Sequence, residues 1–322
     1  MNILADILGM TIVFAVPLLL VAMGGMFSER SGVINIALEG IMIIGALFGT
    51  LFLQHATNMG LPENQFSVFL AILVAGLMGL VYSLLLAYAA VDLKADQTIG
   101  GTALNIFPPA FSVILAWAIQ GQGRTDILIP NWVKMGSFHK GAGFFEILFV
   151  KNLYLTTILT VIIYFVAKFV LYKTKFGLRL MACGEHPQAA DSVGIDVRKM
   201  RYAGVMISGF LGGIGGLAFV IAAGSGFTGT VAGYGFLGLA VMIFGNWTPS
   251  SIAKAAAFFS FFKIVGNYAT SIPFLPSFSN LANSYYIYQM VPYLVTLIAL
   301  IFTSKNSRAP KAEGIPYDKG KR

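Results

Sequence analysis

Two polar side chains stand close together inside an apolar stretch near the start of the sequence. Asn35 and Glu39 lie four residues apart in the run Val33–Leu53, and this spacing places both side chains on one face of a helix. An amide and a carboxyl group in such surroundings can bind a polar solute, pass a proton or hold a neighbouring helix. The sequence leaves two interpretations open: the pair lines a polar path, or it ties its helix to a neighbouring helix or subunit.

Motifs for covalent, metal-dependent or phosphate-binding chemistry are absent from the sequence. No Gly-x-x-x-x-Gly-Lys-Ser/Thr, His-Glu-x-x-His or Gly-x-Ser-x-Gly pattern occurs, so the chain has neither a loop for ATP phosphates nor a hydrolase nucleophile. The single cysteine and the three histidines show no metal-ligand spacing. We therefore predict that the chain is not an enzyme and has no catalytic residues, no metal site and no cofactor of its own.

The composition is that of a membrane protein. Of the 322 residues, 57% are hydrophobic and 11% are charged, whereas soluble domains carry about 25% charged residues. The mean hydropathy is +0.80. Because one crossing takes about 20 apolar residues, the sequence predicts an all-α, polytopic helical membrane protein. Nine apolar runs fit as spans: Ile7–Phe27, Val33–Leu53, Phe66–Val91, Thr98–Ile119, Asn152–Tyr172, Tyr202–Ala223, Ser225–Gly245, Pro249–Tyr268 and Ser284–Thr303.

Two of these runs are ambiguous, so the predicted number of membrane spans is nine or ten. Pro108 and Pro109 in the fourth run remove two backbone donors, so we expect a kink or a break in its helix. The seventh run, Ser225–Gly245, is rich in glycine and corresponds either to one straight span or to two half-helices. No basic residues precede the first run, so we interpret it as a retained span and not as a signal peptide.

Basic residues are concentrated in two segments. The net charge is +8, and Lys and Arg cluster in 173–201 and in 305–322. Loops of this kind stay on the cytoplasmic side of a membrane, which accounts for the charge without nucleic acid. We therefore predict an outer N-terminus, a cytoplasmic C-terminus and an outer segment Gly121–Lys151, although that segment holds four basic residues. The predicted organisation is a transmembrane domain over 1–303, which includes the loop 173–201, and a basic tail over 304–322.

The loop 173–201 contains a short helix of its own. Pro187 suits a first helical position and Gly194 suits a C-terminal stop, while Ala189 and Val193, one turn apart, form a small apolar face. This face either docks in a cleft of a cytoplasmic partner or rests on lipid headgroups. Docking is favoured, because a helix that lies on lipid usually carries large Leu, Phe or Trp anchors. The predicted docking segment consists of Glu185, His186, Pro187, Gln188, Ala189, Ala190, Asp191, Ser192, Val193 and Gly194.

Five segments carry a resemblance to one family of membrane proteins. They are Glu29–Gly40, with the pattern Glu-Arg-x-Gly-x-x-Asn-x-x-x-Glu-Gly, and the loop segment Gly184–Gly194, then Gln97–Asn105, Gly235–Trp247 and the tail, in which Ala309-Pro310 is followed by Gly314–Lys319. Over most of its length the chain resembles the permease subunits of bacterial ABC importers for nucleosides and simple sugars, in the branched-chain amino-acid/ribose-type permease superfamily. It is most similar to the smaller permease of nucleoside importers that are fed by a surface lipoprotein of the basic-membrane-protein type.

The resemblance implies a type II ABC importer-like fold with about ten spans. It also implies a permease subunit that moves nucleosides, or related simple sugars, by alternating access across a bacterial cell membrane. The implied partners are an ABC ATPase that binds ATP and Mg²⁺, a second and different permease chain, a substrate-binding lipoprotein and membrane lipid, but no nucleic acid. Glu185–Gly194 would be the coupling helix that receives the motion of the ATPase.

The residues alone leave a second function open, that of an ion-coupled secondary carrier for a small polar solute. Such a carrier places several ionisable groups near the bilayer centre. Among the ionisable residues of the predicted spans, Glu39 is the one whose position is least explained by proximity to the end of a span. Asn105 is suited either to hydrogen bonding with a base or ribose or to a bond between helices. The candidate substrate-pathway residues are therefore Asn35, Glu39 and Asn105.

Overall fold

The described part of the chain is built from helices. A computed structural model describes residues 3–136, 143–268, 290, 294–295, 297–298, 301 and 308–319. Within these residues the strand-like pairing is limited to an antiparallel bridge between Ile127 and Phe227. The helices are α1 (Ile3–Arg30), α2 (Leu38–His55), α3 (Gln65–Ala87), α4 (Gln97–Gln120), α5 (Phe144–Phe149), α6 (Leu155–Lys173), α7 (Lys175–Glu185), α8 (Pro187–Ser192), α9 (Val197–Ala223), α10 (Tyr234–Phe244) and α11 (Pro249–Tyr268).

Six helices of the described residues are long and apolar enough to cross a membrane. They are α1, α2, α3 with the π-helical turn Tyr88–Asp92, α4, α6 and α9, which confirms an all-α polytopic membrane protein. Helix α11 has the bounds of the eighth predicted span and the length of a crossing, but it is less apolar than these six. The ninth predicted span, Ser284–Thr303, falls largely outside the described residues.

The two prolines of the fourth predicted span do not break its helix. Helix α4 continues through Pro108 and Pro109, so the expected break does not occur. A proline at position 108 cannot donate to the carbonyl oxygen of Leu104, and the hydroxyl of Tyr82 in α3 donates to that oxygen instead, at 2.7 Å. A side chain of a neighbouring helix thus satisfies the acceptor that the proline frees, which is how helices in lipid tolerate proline.

The seventh predicted span, Ser225–Gly245, is helical over about half its length, so its interpretation as one straight helix is wrong. The structure has an irregular segment over 224–233 and a helix, α10, from Tyr234. The reason is the backbone of the glycines in that segment: Gly224, Gly226, Gly229 and Gly233 have φ between +69° and +87°. Glycine adopts this conformation readily, and an α-helix excludes it. Helix α10 is therefore a half-helix, and its first residue, Tyr234, is buried.

The second predicted span, Val33–Leu53, is also incomplete at its start. The chain leaves α1 at Arg30, turns at Gly32, where φ is +96°, and becomes helical again only at Leu38. Residues 33–37 are thus unwound although they are buried or nearly so. Unwound backbone at membrane depth needs hydrogen-bond partners from other parts of the protein, and these partners form the site described below.

Helices α1, α2 and α9 form the buried centre of the molecule, with α3 packed against α2 and α9. Glycines bring the backbones into contact: a Cβ on Gly213 of α9 would lie 2.1 Å from the carbonyl oxygen of Ala75 in α3, and a Cβ on Gly45 of α2 would lie 2.3 Å from the Cα of Gly213. Small residues permit this close approach of helices in lipid. Helices α4 and α6 lie at the edge and expose much of their surface.

The connecting segments gather at two opposite ends of the helices. One end, which we call the basic end, contains the turn after α1, Lys94, the loop 173–201 and residues 308–319. At the other end Lys151 binds Asp6 at 2.6 Å, and Gln65 donates to the carbonyl oxygen of Trp132 at 3.1 Å. This grouping agrees with the predicted loop order, and Asp6 supplies a partner for one basic residue of the segment 121–151. The membrane side on which each end lies stays a prediction.

Candidate functional site

Glu39 occupies the N-terminus of the half-helix α10. Its Oε1 accepts a hydrogen bond from the Gly233 N–H at 2.9 Å, and its Oε2 accepts one from the Gly235 N–H at 2.7 Å. The first N–H groups of a helix have no partner within the helix and attract negative charge. The Glu39 side chain is 7% exposed, so a buried carboxylate and a buried helix end satisfy each other.

Asn105 of α4 supports the unwound segment before α2. Its Nδ2 donates to the Ile36 carbonyl oxygen at 2.8 Å, and its Oδ1 accepts from the Gly40 N–H at 2.7 Å. Gln97, at the start of α4, accepts from the Ile34 N–H at 2.7 Å. These two amide side chains replace the hydrogen bonds that residues 33–37 lack by not being helical. In this conformation both polar atoms of Asn105 are used by backbone groups.

Asn35 does not share a helix face with Glu39, contrary to the prediction from their spacing. The predicted helix would have included both residues, but α2 begins only at Leu38, after the turn at Gly32. Asn35 is fully buried against α9, where its Nδ2 donates to the Ser208 hydroxyl at 2.8 Å. Its Oδ1 has no hydrogen-bond partner in the described part of the chain. Asn35, Glu39 and Asn105 thus bind three different elements around one unwound segment.

The other end of α10 is held by residues of the turn that leaves α1. Glu29 is buried, and its Oε2 accepts a hydrogen bond from the Trp247 indole N–H at 2.5 Å. The Arg30 guanidinium donates to the carbonyl oxygen of the same tryptophan at 3.0 Å. Trp247 follows α10 and has φ of +51°, so its placement depends on these two partners. Sequence reasoning did not identify this contact.

The two ends of the segment Glu29–Gly40 therefore contact the two ends of α10. Its first residues hold the turn after α10, and Glu39 holds the first turn of α10, while the middle of the segment is unwound. Discontinuous helices of this kind place helix ends and free backbone groups at the binding sites of transport proteins. The starts of α2 and α10 thus meet at a polar site inside the molecule. We call this site, which contains Asn35, Glu39 and Asn105, the polar crossing.

The loop at the basic end contains the predicted short helix. Helix α8 spans Pro187–Ser192, and Gly194 has φ of +83° after it, so both predicted boundary signals are in place. Pro187 and Ala190 are buried, and Ala190 packs with Cys183 and Val197. Helix α8 is thus fixed by its buried side to α7 and α9 and presents its other side outward.

The exposed side of α8 carries the predicted apolar face. Gln188, Ala189 and Ser192 are exposed, and Val193 is 74% exposed. Asp191 is partly buried, and Glu185, at the end of α7, lies 4.0 Å from Arg30. The remaining residues of the predicted segment, His186 and Gly194, are exposed. All ten residues therefore lie on one continuous structure at the basic end.

Sequence reasoning missed the residues that fasten this loop to the rest of the molecule. Arg201 of α9 is 1% exposed, and its Nη1 donates to the Ile315 carbonyl oxygen at 2.9 Å. Tyr317 packs against the cluster formed by Cys183, Ala190 and Val197. The segment 304–322 was predicted as a basic tail, and the apolar residues Ala312 and Tyr317 within it, which are buried or packed, are the signal that indicates packing.

Two groups in this region have shifted pKa values. Burial raises the pKa of the Cys183 thiol to about 11, so the thiol is protonated near neutral pH and reacts slowly. The hydrogen bond from the Lys199 backbone N–H lowers the pKa of Asp196, which is the N-cap of α9. The first shift reports how completely Cys183 is covered, and the second follows from an ordinary helix cap.

A helical membrane protein with unwound polar segments at its centre has the architecture of a transport permease. The chain belongs to the family described as branched-chain amino acid transport system / permease component, whose model matches residues 7–300. This membership agrees with the predicted superfamily. It favours a permease component of a transport system over an ion-coupled carrier that acts alone.

Relatives match this chain over its full length. It is 41% identical to the guanosine ABC transporter permease protein NupQ of Bacillus subtilis, over 100% of this chain and 99% of the relative. It is 36% identical to the nucleoside ABC transporter permease protein NupC of Lactococcus lactis, over 99% of both chains. No solved structure gives a significant match.

Proposed function

We propose that the chain is a permease subunit of an ATP-driven importer for nucleosides. The substrate class is supported by the names of the relatives NupQ and NupC, which align with the whole chain. A different permease from each of the same organisms, NupP of Bacillus subtilis and NupB of Lactococcus lactis, is also similar, at 26% and 22% identity. Two related permeases in one organism support a pair of different chains around the substrate path.

The proposed mechanism is alternating access in a bacterial cell membrane. A lipoprotein delivers the nucleoside from outside, and a separate ATPase, which holds ATP and Mg²⁺, opens and closes the permease pair from the cytoplasm. This chain itself binds neither a cofactor nor a metal. Its basic end, with the C-terminal residues, faces the cytoplasm, because Lys and Arg are enriched there.

The observation that carries this proposal is the form of α8. A short helix is held by its buried side, through Ala190, and presents Ala189 and Val193 to the outside. An exposed apolar face of this size, without large anchors for lipid, suits the cleft of a partner protein. We assign it as the coupling helix on which the ATPase acts.

The substrate path is proposed to run past the crossing at the start of α10. Glu39 and Asn105 hold its backbone groups in the conformation described here. The Asn35 Oδ1, which lacks a hydrogen-bond partner within the described residues, is the polar atom left for a solute when the crossing opens. Its exposure would require the segment Glu29–Gly40 to move away from α9, against which Asn35 is buried.

Substitution of Ala189→Trp tests the coupling helix. The large ring covers the exposed face of α8, so we expect ATP hydrolysis that no longer responds to substrate, while the protein still inserts in the membrane and folds. The measurement is nucleoside-stimulated ATP hydrolysis by the reconstituted complex. Lys175→Trp, at an exposed position of α7 outside this face, is the matched control and should retain stimulation. Normal stimulation in Ala189→Trp would show that the face does not contact the ATPase.

The partners and the substrate are tested on the native complex. Gentle purification of the tagged chain should co-purify an ATPase and a second permease, and uptake into vesicles should require ATP. Unlabelled guanosine and other nucleosides should compete with labelled guanosine, whereas ribose should not. A chain that purifies alone and transports without ATP would contradict the proposal, and competition by ribose alone would change the substrate class to sugars.

A further inference from the structure

Residues 308–319 form an ordered segment across the basic end, which we call the C-terminal strap. Three of its backbone N–H groups donate to distant parts of the chain: Arg308 to the Asn246 Oδ1 at 2.8 Å, Ala312 to the Gly184 carbonyl oxygen at 2.8 Å, and Gly314 to the Gly32 carbonyl oxygen at 3.3 Å. The strap thereby joins the turn after α10, the end of α7 and the corner between α1 and α2.

The C-terminal end of the strap is attached to helix α8 in the loop 173–201 and to the turn after α3. Asp318 pairs with Lys94 at 3.0 Å, and Lys319 lies 3.8 Å from Asp191 of α8. These ion pairs are partly exposed and individually weak. Tyr317, which precedes both charged residues, packs against the cluster of Cys183, Ala190 and Val197, and this apolar contact is the stronger part of the attachment.

Arg201 shows that the strap is required for the structure beneath it. The guanidinium of Arg201 is buried above Gly32, and within the described residues its hydrogen-bond acceptor is the Ile315 carbonyl oxygen. Its Nε and Nη2 are buried without a partner there. Release of the strap would remove this acceptor from a buried cation, so release is unfavourable.

The strap connects α8 with the segment that frames α10. Gly184, at the end of α7, lies directly against the α1–α2 corner, since a Cβ there would be 2.3 Å from the Arg30 carbonyl oxygen. The strap bonds to Gly184 and to Gly32 on either side of this contact. From Gly32 the chain continues into the unwound residues 33–37 and then to Glu39.

We propose that the C-terminal strap is the positioning element that makes α8 and the α1–α2 corner move as one body, with Tyr317 and the Arg201–Ile315 contact as its main attachments. Force applied to α8 then reaches the polar crossing at α10 and is not lost in movement of the loop. This inference rests on the proposed function, since it assumes that an ATPase acts on α8.

Cys183 provides a reporter for the strap, because it is the only cysteine of the chain and is fully buried in the cluster against which Tyr317 packs. We expect a maleimide to leave Cys183 unlabelled in the assembled transporter, at rest and during turnover. Tyr317→Ala should permit labelling, and Tyr317→Phe should restore protection. The thiol of a Lys175→Cys, Cys183→Ala chain, at an exposed position outside the face of α8 that contacts the ATPase, is the control for reagent access. Labelling of the unaltered chain during turnover would overturn the proposal, because the strap would then lift.

The functional test compares ATP hydrolysed with nucleoside imported. Tyr317→Ala should still assemble with the ATPase and hydrolyse ATP, but the nucleoside imported per ATP should fall about tenfold. Tyr317→Phe should keep the normal ratio. A chain that ends at Ser307 should show a stronger loss, and a chain that ends at Lys319 should show none.

The outcomes separate this inference from the proposed function. If Tyr317→Ala lowers hydrolysis and import together at a constant ratio, the strap has only a structural role and the inference is wrong. If Tyr317→Ala imports normally while Cys183 is labelled, the strap does not position α8. If the unaltered chain shows no ATP-dependent import, the proposed function fails instead.

Discussion

Two acidic side chains, Glu39 and Glu29, form hydrogen bonds at the two ends of α10. Glu39 receives two N–H groups at its start, and Glu29 receives the indole N–H of Trp247 after its end. A carboxylate in lipid is expensive unless donors surround it, and N–H groups at a helix N-terminus are suited to this. The two residues therefore fix the position of a half-helix, which a continuous transmembrane helix would not require.

Replacement of Glu39 by glutamine tests this role. Glutamine has one acceptor oxygen, and its amide nitrogen would face an N–H of Gly233 or Gly235. We expect Glu39→Gln to lower the free energy of unfolding by about 1–3 kcal/mol, the usual cost of a buried donor left unsatisfied. Thermal unfolding in detergent measures the effect. Glu63→Gln, at an exposed position, is the matched control, and equal stability of both variants would contradict the assigned role.

At the residue scale the sequence predicts the polar groups but not their partners. Asn35, Glu39 and Asn105 are recognisable because polar side chains are rare in apolar runs. Their contacts depend on the unwinding of residues 33–37, and hydropathy does not distinguish an unwound apolar segment from a helical one. For this reason the predicted shared face of Asn35 and Glu39 is wrong, while all three residues do gather around one segment.

At the scale of elements, backbone contact through glycine holds the central helices together. Gly45 of α2, Gly213 of α9 and Ala75 of α3 approach so closely that no side chain fits between them. Lipid supplies no hydrophobic force between helices, so close packing must stabilise them. The glycines of 204–245 serve two purposes: those of α9 allow close packing, and those after it have left-handed backbone.

The substitution Gly213→Ala should separate these helices. A Cβ at this position would lie 2.1 Å from the Ala75 carbonyl oxygen, so the backbones must shift, at a cost of about 1–3 kcal/mol or more. The expected result is a lower unfolding temperature in detergent. Gly100→Ala in α4 is the control, because a Cβ there meets no atom within 4 Å and alanine favours a helix. A stable Gly213→Ala chain would show that α3 and α9 lie further apart.

Local signals predicted some elements well and others poorly. The bounds of α8 follow from Pro187 and Gly194, which act within a few residues of themselves. The end of α4 beyond its prolines depends on Tyr82, and the half-helix α10 depends on Glu39, both distant in sequence. The sequence therefore left open the continuity of α4 through its prolines and the form of the seventh run, which depend on these long-range hydrogen bonds.

At the scale of the whole molecule, the segments at the two ends differ in charge and in partners. The basic end carries Arg30, Lys94 and the loop 173–201, while at the opposite end Lys151 is bound to Asp6. The predicted order of loops agrees with this division because the positive-inside bias acts on whole loops. Such a bias is visible in sequence without knowledge of any contact.

The orientation is checked by labelling single cysteines from one side. In a Cys183→Ala chain, Glu63→Cys lies at the end opposite the loop and Lys175→Cys lies at the basic end, both exposed. We expect an impermeant maleimide on intact cells to label Glu63→Cys, and to label Lys175→Cys only after permeabilisation. The reverse pattern would place the basic end outside.

The strap also has a consequence for biosynthesis. It follows all the helices described here in sequence, and its contact with Arg201 joins residues 114 positions apart. A ribosome therefore releases the loop 173–201 before it releases the strap, and both Arg201 and the cluster that contains Cys183 lack their contacts with the strap during that interval. A prematurely terminated chain would carry these groups exposed at the membrane surface, where quality-control proteases select incompletely folded products.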